Sequence, residues 1–157
     1  MAGAQAQATL PGGASSLQET YGDWTVNCVQ REGPKCLLTQ QHNQQNGQRV
    51  LAIEIVAVNG GKTATGTLVL PFGLELGAGV TLQVDEKPAE APLRFSTCLP
   101  AGCVVPVSFE GASLAALRSG GTLKTASKAV NTDQVVALPI SLKGFSAAFD
   151  RVATLTK

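Results

Sequence analysis

The chain is poor in the residues that most often do chemistry or grip nucleic acid. It has one histidine, one tryptophan, one tyrosine and one methionine, and aromatic residues make up 4% of it. So few rings argue against a base-stacking platform. Charged residues are 15% of the chain and the net charge is +1. Lys and Arg are scattered with no basic run, so no electrostatic feature points to nucleic acid or anionic membrane as a partner. No segment is long and apolar enough to span a bilayer, and no secretory hydrophobic region is present. Catalytic signatures are missing too. There is no G-x-S-x-G elbow, no Walker loop and no dinucleotide fingerprint; Gly73, Gly77 and Gly79 have the wrong spacing and fall between strands. Any Ser–His–Asp or Cys–His device would have to run through His42, which lies near a polar hairpin tip with no ligand cluster around it. No catalytic residue, metal ligand or cofactor is therefore assigned, and the chain is read as not an enzyme. Paired carboxylates stay open, because such pairs form in space rather than in sequence.

What the chain does have is a core and four cysteines. Its 157 residues are 44% apolar, which suits a single domain. The cysteines fall in two local pairs, Cys28 with Cys36 and Cys98 with Cys103, a pattern that suits an oxidising compartment. Loop entropy does not choose among the three connectivities: the short loops are worth roughly 2–2.5 kcal/mol each and a long bridge about 4.5 kcal/mol. Proximity across hairpins favours the two local bridges. Free buried thiols and zinc are the alternatives, although C-x7-C with C-x4-C is not a usual zinc spacing. Neither pair is a redox C-x-x-C.

The stretch Leu93 to Phe109 (LRFSTCLPAGCVVPVSF) organises the reading. Two runs of β-formers flank a turn with Pro100 and Gly102, so a hairpin stapled by Cys98 and Cys103 is expected. Strict pairing sets Phe95 opposite Pro106, with Val105, Val107 and Phe109 on the other face, so a bulge or an uneven turn is needed.

Along the chain, residues 1–18 lack periodicity and read as a disordered tail, with a single domain over 19–157. The start, MAGAQAQATLPGG, reads as a mature exported N-terminus carrying an added Met, its signal peptide removed. Trp24, Val26 and Cys28 alternate and should share a buried face. Asn46-Gly47 is a strong hairpin signal that sets Thr39 opposite Glu54 and Gln41 opposite Ala52. That tip supplies the candidate binding residues Gln41, His42, Asn43, Gln44, Gln45 and Asn46. Its amides could meet sugar hydroxyls, although a merely solvated turn is the plainer reading. Glu54 sits in the apolar run LAIEIVAV and should face outward; buried, it would need Arg94 or Lys124. Residues 74–78 read as extended and Asp85 to Pro92 as a polar turn. Ser113 to Arg118 reads as a helix capped by Ser113, and Pro139 belongs at a sheet edge or bulge. Phe145, Phe149 and Val152 recur at helical spacing. Seven to nine short strands with two short helices indicate a β-sandwich, a closed barrel being the alternative.

Four segments then carry a resemblance: YGDWTVNC with Cys36 nearby, LPFGLELGAGVTLQVD, LRFSTCLPAGCVV and LPISLKGFSAAFDRV. Together, over roughly Tyr21 to Val152, they resemble the invasion-associated locus B family of bacterial proteins. The resemblance implies an all-β, immunoglobulin-like antiparallel sandwich. It implies an exported protein of Gram-negative cells, periplasmic, outer-membrane-associated or secreted. The family's founding member is linked to entry into host cells. Trp24, Cys28, Cys36, Pro71, Phe72, Gly73, Cys98, Gly102, Cys103, Gly144 and Phe145 carry over as structural positions, and no catalytic residue does. The expected role is non-enzymatic binding of a protein or envelope component, through the Gln40–Gln48 tip and the Asp85–Leu93 turn. A homodimer along a strand edge is compatible with this. An envelope carbohydrate hydrolase using paired carboxylates, or a structural or chaperone-like role, are the alternatives.

Overall fold

Residues with β-branched or apolar side chains at every second position build strands, and the face those residues share becomes the core. The computed structural model describes residues 9–43, 45, 47 and 49–156. Among these it has ten strands and two α-helices. The strands are β1 (Ser16–Tyr21), β2 (Trp24–Gln30), β3 (Pro34–Asn43), β4 (Arg49–Val58), β5 (Thr63–Leu70), β6 (Thr81–Val84), β7 (Thr97–Leu99), β8 (Gly102–Glu110), β9 (Thr122–Lys128) and β10 (Val135–Ser141). The helices are α1 (Gly111–Ser119) and α2 (Phe145–Leu155).

Seven strands form one sheet in the order β1-β2-β3-β4-β5-β8-β7, and three form a second in the order β10-β9-β6. Every strand pairing is antiparallel. The large sheet is a meander of hairpins. The chain leaves it after β5 to lay β6 in the small sheet, then returns through β7 and β8. The expected all-β, two-layer antiparallel architecture with two short helices is thus present.

The inner face of the large sheet carries Trp24, Val26, Leu38, Ile53, Leu68 and Val105, all inaccessible to solvent. The small sheet adds Leu82, Leu123 and Ile140 to the same core cluster, and α2 adds Phe145, Phe149 and Val152. The helical spacing of those last three predicts their shared buried face, and each has no exposed area. Trp24 meets Phe145 edge-on at 5.3 Å, and Phe145 stacks on Phe149 at 5.7 Å. Burial of each large apolar side chain contributes about 1.5–3 kcal/mol, and each ring pair about 0.5–1.5 kcal/mol more.

Two glycines that the resemblance marks as structural are required by close approach. Gly144 has φ +87°, and a Cβ there would run into the Tyr21 carbonyl oxygen. Gly102 has φ +143°, and its Cβ would strike the Leu70 carbonyl oxygen. Phe72, from the same set of positions, is 60% exposed.

Both local disulfides are present. Cys28 and Cys36 face each other across β2 and β3 with Cα atoms 4.1 Å apart. Cys98 and Cys103 do so across β7 and β8 at 3.9 Å. The anticipated irregularity in that second hairpin is a bulge. Thr97 pairs with Val104, and the Ser96 N–H also reaches the Val104 carbonyl at 2.8 Å. Two residues therefore oppose one, and Phe95 packs partly buried against the core.

Three local expectations change. Structure starts well before residue 19: β1 begins at Ser16, and Leu10 is 1% exposed in the core with its N–H held by the Gln30 side chain at 3.1 Å. The reason is tertiary, since one leucine with no periodic neighbours gives no local sign that it will find a pocket. Residues 1–8, the rest of the expected tail, lie outside the described residues. The N-cap of α1 is Glu110, not Ser113, which sits a turn further in and accepts the Glu110 N–H at 3.1 Å. Residues 74–78, expected to be extended, contain a 3-10 turn over Leu76–Ala78. Pro139, as expected, lies on the edge strand β10.

Candidate functional site

The small sheet and the helices cover one face of the large sheet. Its other face carries the alternate residues of β1 to β4. Thr25 and Asn27 on β2 stand beside Thr39 and Leu37 on β3, and Thr39 stands beside Glu54 on β4. Gln18 of β1 extends the row through its pairing with Asn27. These side chains, with Asp23 in the β1–β2 turn and Gln41 and Asn43 further along β3, line a concave groove of about 700 Å3. Among the described residues the lining is hydroxyl, amide and carboxylate, with Leu37 the one apolar side chain and no Lys or Arg. Asp23 and Glu54 bring two carboxylates to the groove, and its regular rows of short polar groups offer both donors and acceptors.

The groove is tied to the end of β10 through Gln40 and Asp23. Gln40, inward-facing on β3 and 6% exposed, donates from Nε2 to the Ser141 carbonyl at 2.9 Å and accepts the Ser141 N–H at 3.1 Å. The Ser141 hydroxyl in turn donates to Asp23 Oδ2 at 2.6 Å. His42 Nε2 lies 2.6 Å from Gln40 Oε1. That oxygen is an acceptor, so Nε2 carries the proton toward it. The only histidine is thus committed to holding Gln40.

Of the residues singled out at the hairpin tip, Gln41 and Asn43 line the groove, and His42 is half-buried behind it. Gln45 is exposed beyond the strand end, and Gln44 and Asn46 lie outside the described residues. Thr39 opposite Glu54 and Gln41 opposite Ala52 match the expected register. Glu54 faces outward and exposed. Sequence reasoning missed Asp23, Thr25, Asn27 and Thr39 as groove residues. For three of them the signal was there: Asp23, Thr25 and Asn27 alternate with Trp24, Val26 and Cys28, the run read as a buried face, whereas no core face was read for the strand that holds Thr39. Among the described residues no cluster of three or more His, Cys, Asp or Glu is placed to hold a metal ion.

A second polar constellation locks β1 to α2. Arg151 donates from Nε and Nη2 to the two oxygens of Glu19 at 2.8 and 3.1 Å, and the Tyr21 hydroxyl donates to Glu19 at 2.8 Å. The Arg151 hydrogen bonds hold the Glu19 carboxyl below its ordinary range, and the Tyr21 bond adds to this. Donation to Glu19 raises the Tyr21 phenol. Asp85 is lowered as well, chiefly because its carboxylate accepts the Gly121 and Thr122 N–H groups at 3.0 and 2.9 Å.

These features define a class: a disulfide-stapled, two-sheet antiparallel domain with one open polar face. The chain belongs to the Invasion associated locus B (IalB) protein family, whose sequence profile matches residues 24–153. It is 51% identical over 152 residues to an Invasion protein B homolog of Brucella abortus, covering 96% of this chain and 87% of that one. It is 40% identical over 154 residues to Invasion protein B of Bartonella bacilliformis, covering 96% and 82%. The crystal structure of invasion associated protein B from Bartonella henselae superposes with a TM-score of 0.82 at 38% identity, over 89% of this chain and 97% of that one.

Proposed function

We propose that the protein works in the bacterial cell envelope, outside the reducing cytosol, as a non-enzymatic binding module whose contact face is the polar groove. Two disulfides with no free cysteine among the described residues favour an oxidising compartment. The observation that carries the binding face is the groove itself. It is roomy, preformed on rigid strands, and lined by amides, hydroxyls and two carboxylates. Such a surface suits a polar, extended partner with amine or hydroxyl groups, either a protein segment or an envelope glycan. Relatives bear names that refer to invasion; in a host-associated bacterium the same face would contribute to host-cell association.

The test is affinity capture after in-cell crosslinking of the tagged protein, beside a Thr39→Arg variant that puts bulk and a cation in the groove. Recovery of a specific partner by the parent and not by the variant supports the reading. Equal recovery by both moves the contact face elsewhere.

A second reading rests on one observation: Asp23 and Glu54 line the same groove. A glycoside hydrolase needs two carboxylates flanking the scissile bond. Release of sugars from purified envelope polymer, abolished by Glu54→Gln, would establish that reading and displace the first.

A further inference from the structure

Helix α1 does not close fully on β6. Between them lies an apolar pocket of about 160 Å3, with Leu82, Phe109 and Leu123 among its lining residues and Ala116 of α1 beside them. All four of these residues are buried. The segment after β6 contributes Lys87, Pro88 and Glu90 to the lining.

The size of the pocket selects its occupant. A cavity of about 150 Å3 admits one benzene ring, whereas ordinary small-molecule sites run from roughly 300 Å3 upward. One aromatic or branched aliphatic group fits, and a long acyl chain outruns it. The hole exists because α1 offers it only the small side chains of Ala112, Ser113 and Ala116. The bordering segment is preformed. Lys87 N–H donates to the Val84 carbonyl at 3.0 Å, Gln83 Nε2 holds the Lys87 carbonyl at 2.8 Å, and Glu90 N–H donates to the Leu82 carbonyl at 3.1 Å. The charged ends of Lys87 and Glu90 make no ion pair among the described residues, and the nearby Lys124 is taken by Glu86 at 2.9 Å. An apolar hole the size of one side chain is the kind of pocket that an interface anchor residue fills, and charges of both signs border it, with Lys87 near enough to Asp85 to help lower that carboxyl. Opposite charges favour a partner that carries both.

We infer that this pocket anchors a single aromatic or branched apolar side chain of a partner polypeptide, flanked in that partner by one acidic and one basic residue that meet Lys87 and Glu90. The inference rests on the reading of the chain as a binding module and adds to it a second contact point and the chemistry that point selects.

The probes are the capped peptides acetyl-Glu-Phe-Lys-amide and acetyl-Glu-Ala-Lys-amide, titrated into the full chain and followed through backbone amide NMR shifts. The Phe peptide should shift amides of residues 82–90 and 109–116, with the Ala peptide at least about tenfold weaker. Lys87→Met and Glu90→Gln should each weaken the Phe peptide severalfold. Ala116→Phe, which fills the hole from within, should abolish the shifts; if that variant does not fold, Ala112→Phe blocks the same pocket from an exposed position. Equal shifts from both peptides, shifts outside those two segments, or free phenylalanine binding as tightly as the capped peptide would each overturn the inference. Because Thr39→Arg reads the groove and these peptides read the pocket, either can fail without the other.

Discussion

Gln40 and Ser141, 101 residues apart, form a two-point amide pair: the Gln40 side chain donates to the Ser141 carbonyl and accepts the Ser141 N–H. Ser141 ends β10, an edge strand of the small sheet. Even-numbered residues on this strand bond toward β9, since Ala129 N–H reaches the Gln134 carbonyl and Leu142 N–H reaches the Gly121 carbonyl. Odd-numbered residues therefore aim their backbone groups outward. At Ser141 the Gln40 amide stands in for the missing strand, and Trp24 Nε1 donates to the same carbonyl at 2.9 Å. Two positions earlier, Pro139 has no N–H to leave unpaired.

Gln40→Leu keeps the volume and removes both hydrogen bonds. The Ser141 N–H loses its partner, and so does His42 Nε2. The expected cost is about 2–3 kcal/mol, read as a lower urea midpoint with an unchanged slope. A change under about 0.5 kcal/mol would show that the pair does not join the two sheets.

The disulfides should differ in access. Cys28 and Cys36 are both buried, whereas Cys98 is exposed with its partner Cys103 buried. Thiolate attack needs a reachable sulfur. Under limiting reductant, alkylation and mass spectrometry should find Cys98 and Cys103 labelled well before Cys28 and Cys36. Peptide mapping of the oxidised chain should give one cross-link per local pair. Replacing the buried pair by alanines should cost about 2–4 kcal/mol, from lost loop constraint and from lost packing in the core.

Acid should loosen the contact between β1 and α2. The Glu19 carboxyl is depressed below its ordinary 4.5 by its hydrogen bonds, Arg151 first. A carboxyl lowered on folding contributes stability that is fully present above the unfolded value and is lost as pH falls through the folded one. Glu19→Gln should therefore cost about 1 kcal/mol at pH 7, allowing for partial solvent screening. Parent and variant should converge in stability as pH drops below about 4. A gap that persists at pH 2 would mean that Glu19 acts through packing rather than charge.

Gly144→Ala should be among the costlier small changes in the chain. The backbone there is left-handed, and the added methyl meets the Tyr21 carbonyl oxygen, so the turn before β2 and the start of α2 must separate. A loss of about 2–4 kcal/mol in chemical unfolding is expected. Gly33, also at positive φ, has no atom within 4 Å of its would-be Cβ, so Gly33→Ala should cost only the conformational part, about 1 kcal/mol.

The sequence by itself determined what short-range physics controls. Trp24, Val26 and Cys28 announce a strand because the period of two is local. Phe145, Phe149 and Val152 announce a helix face for the same reason. Cysteines eight and five residues apart close across hairpins that turn chemistry already dictates, and the pairing of Thr39 with Glu54 is the one expected from Asn46-Gly47, although the register shifts between His42 and Asn43. Only the tertiary structure decided what depends on distant elements meeting. Leu10 carries no periodic signal, yet it is buried because the folded chain offers it a site. Ser113 and Glu110 share a helix start, and which of them is the N-cap turns on where β8 ends. The groove arises when outward residues of four strands align, and the Gln40–Ser141 pair arises when one sheet packs across another. Those arrangements follow from the packing of apolar faces over long sequence separations, and no local pattern encodes such contacts.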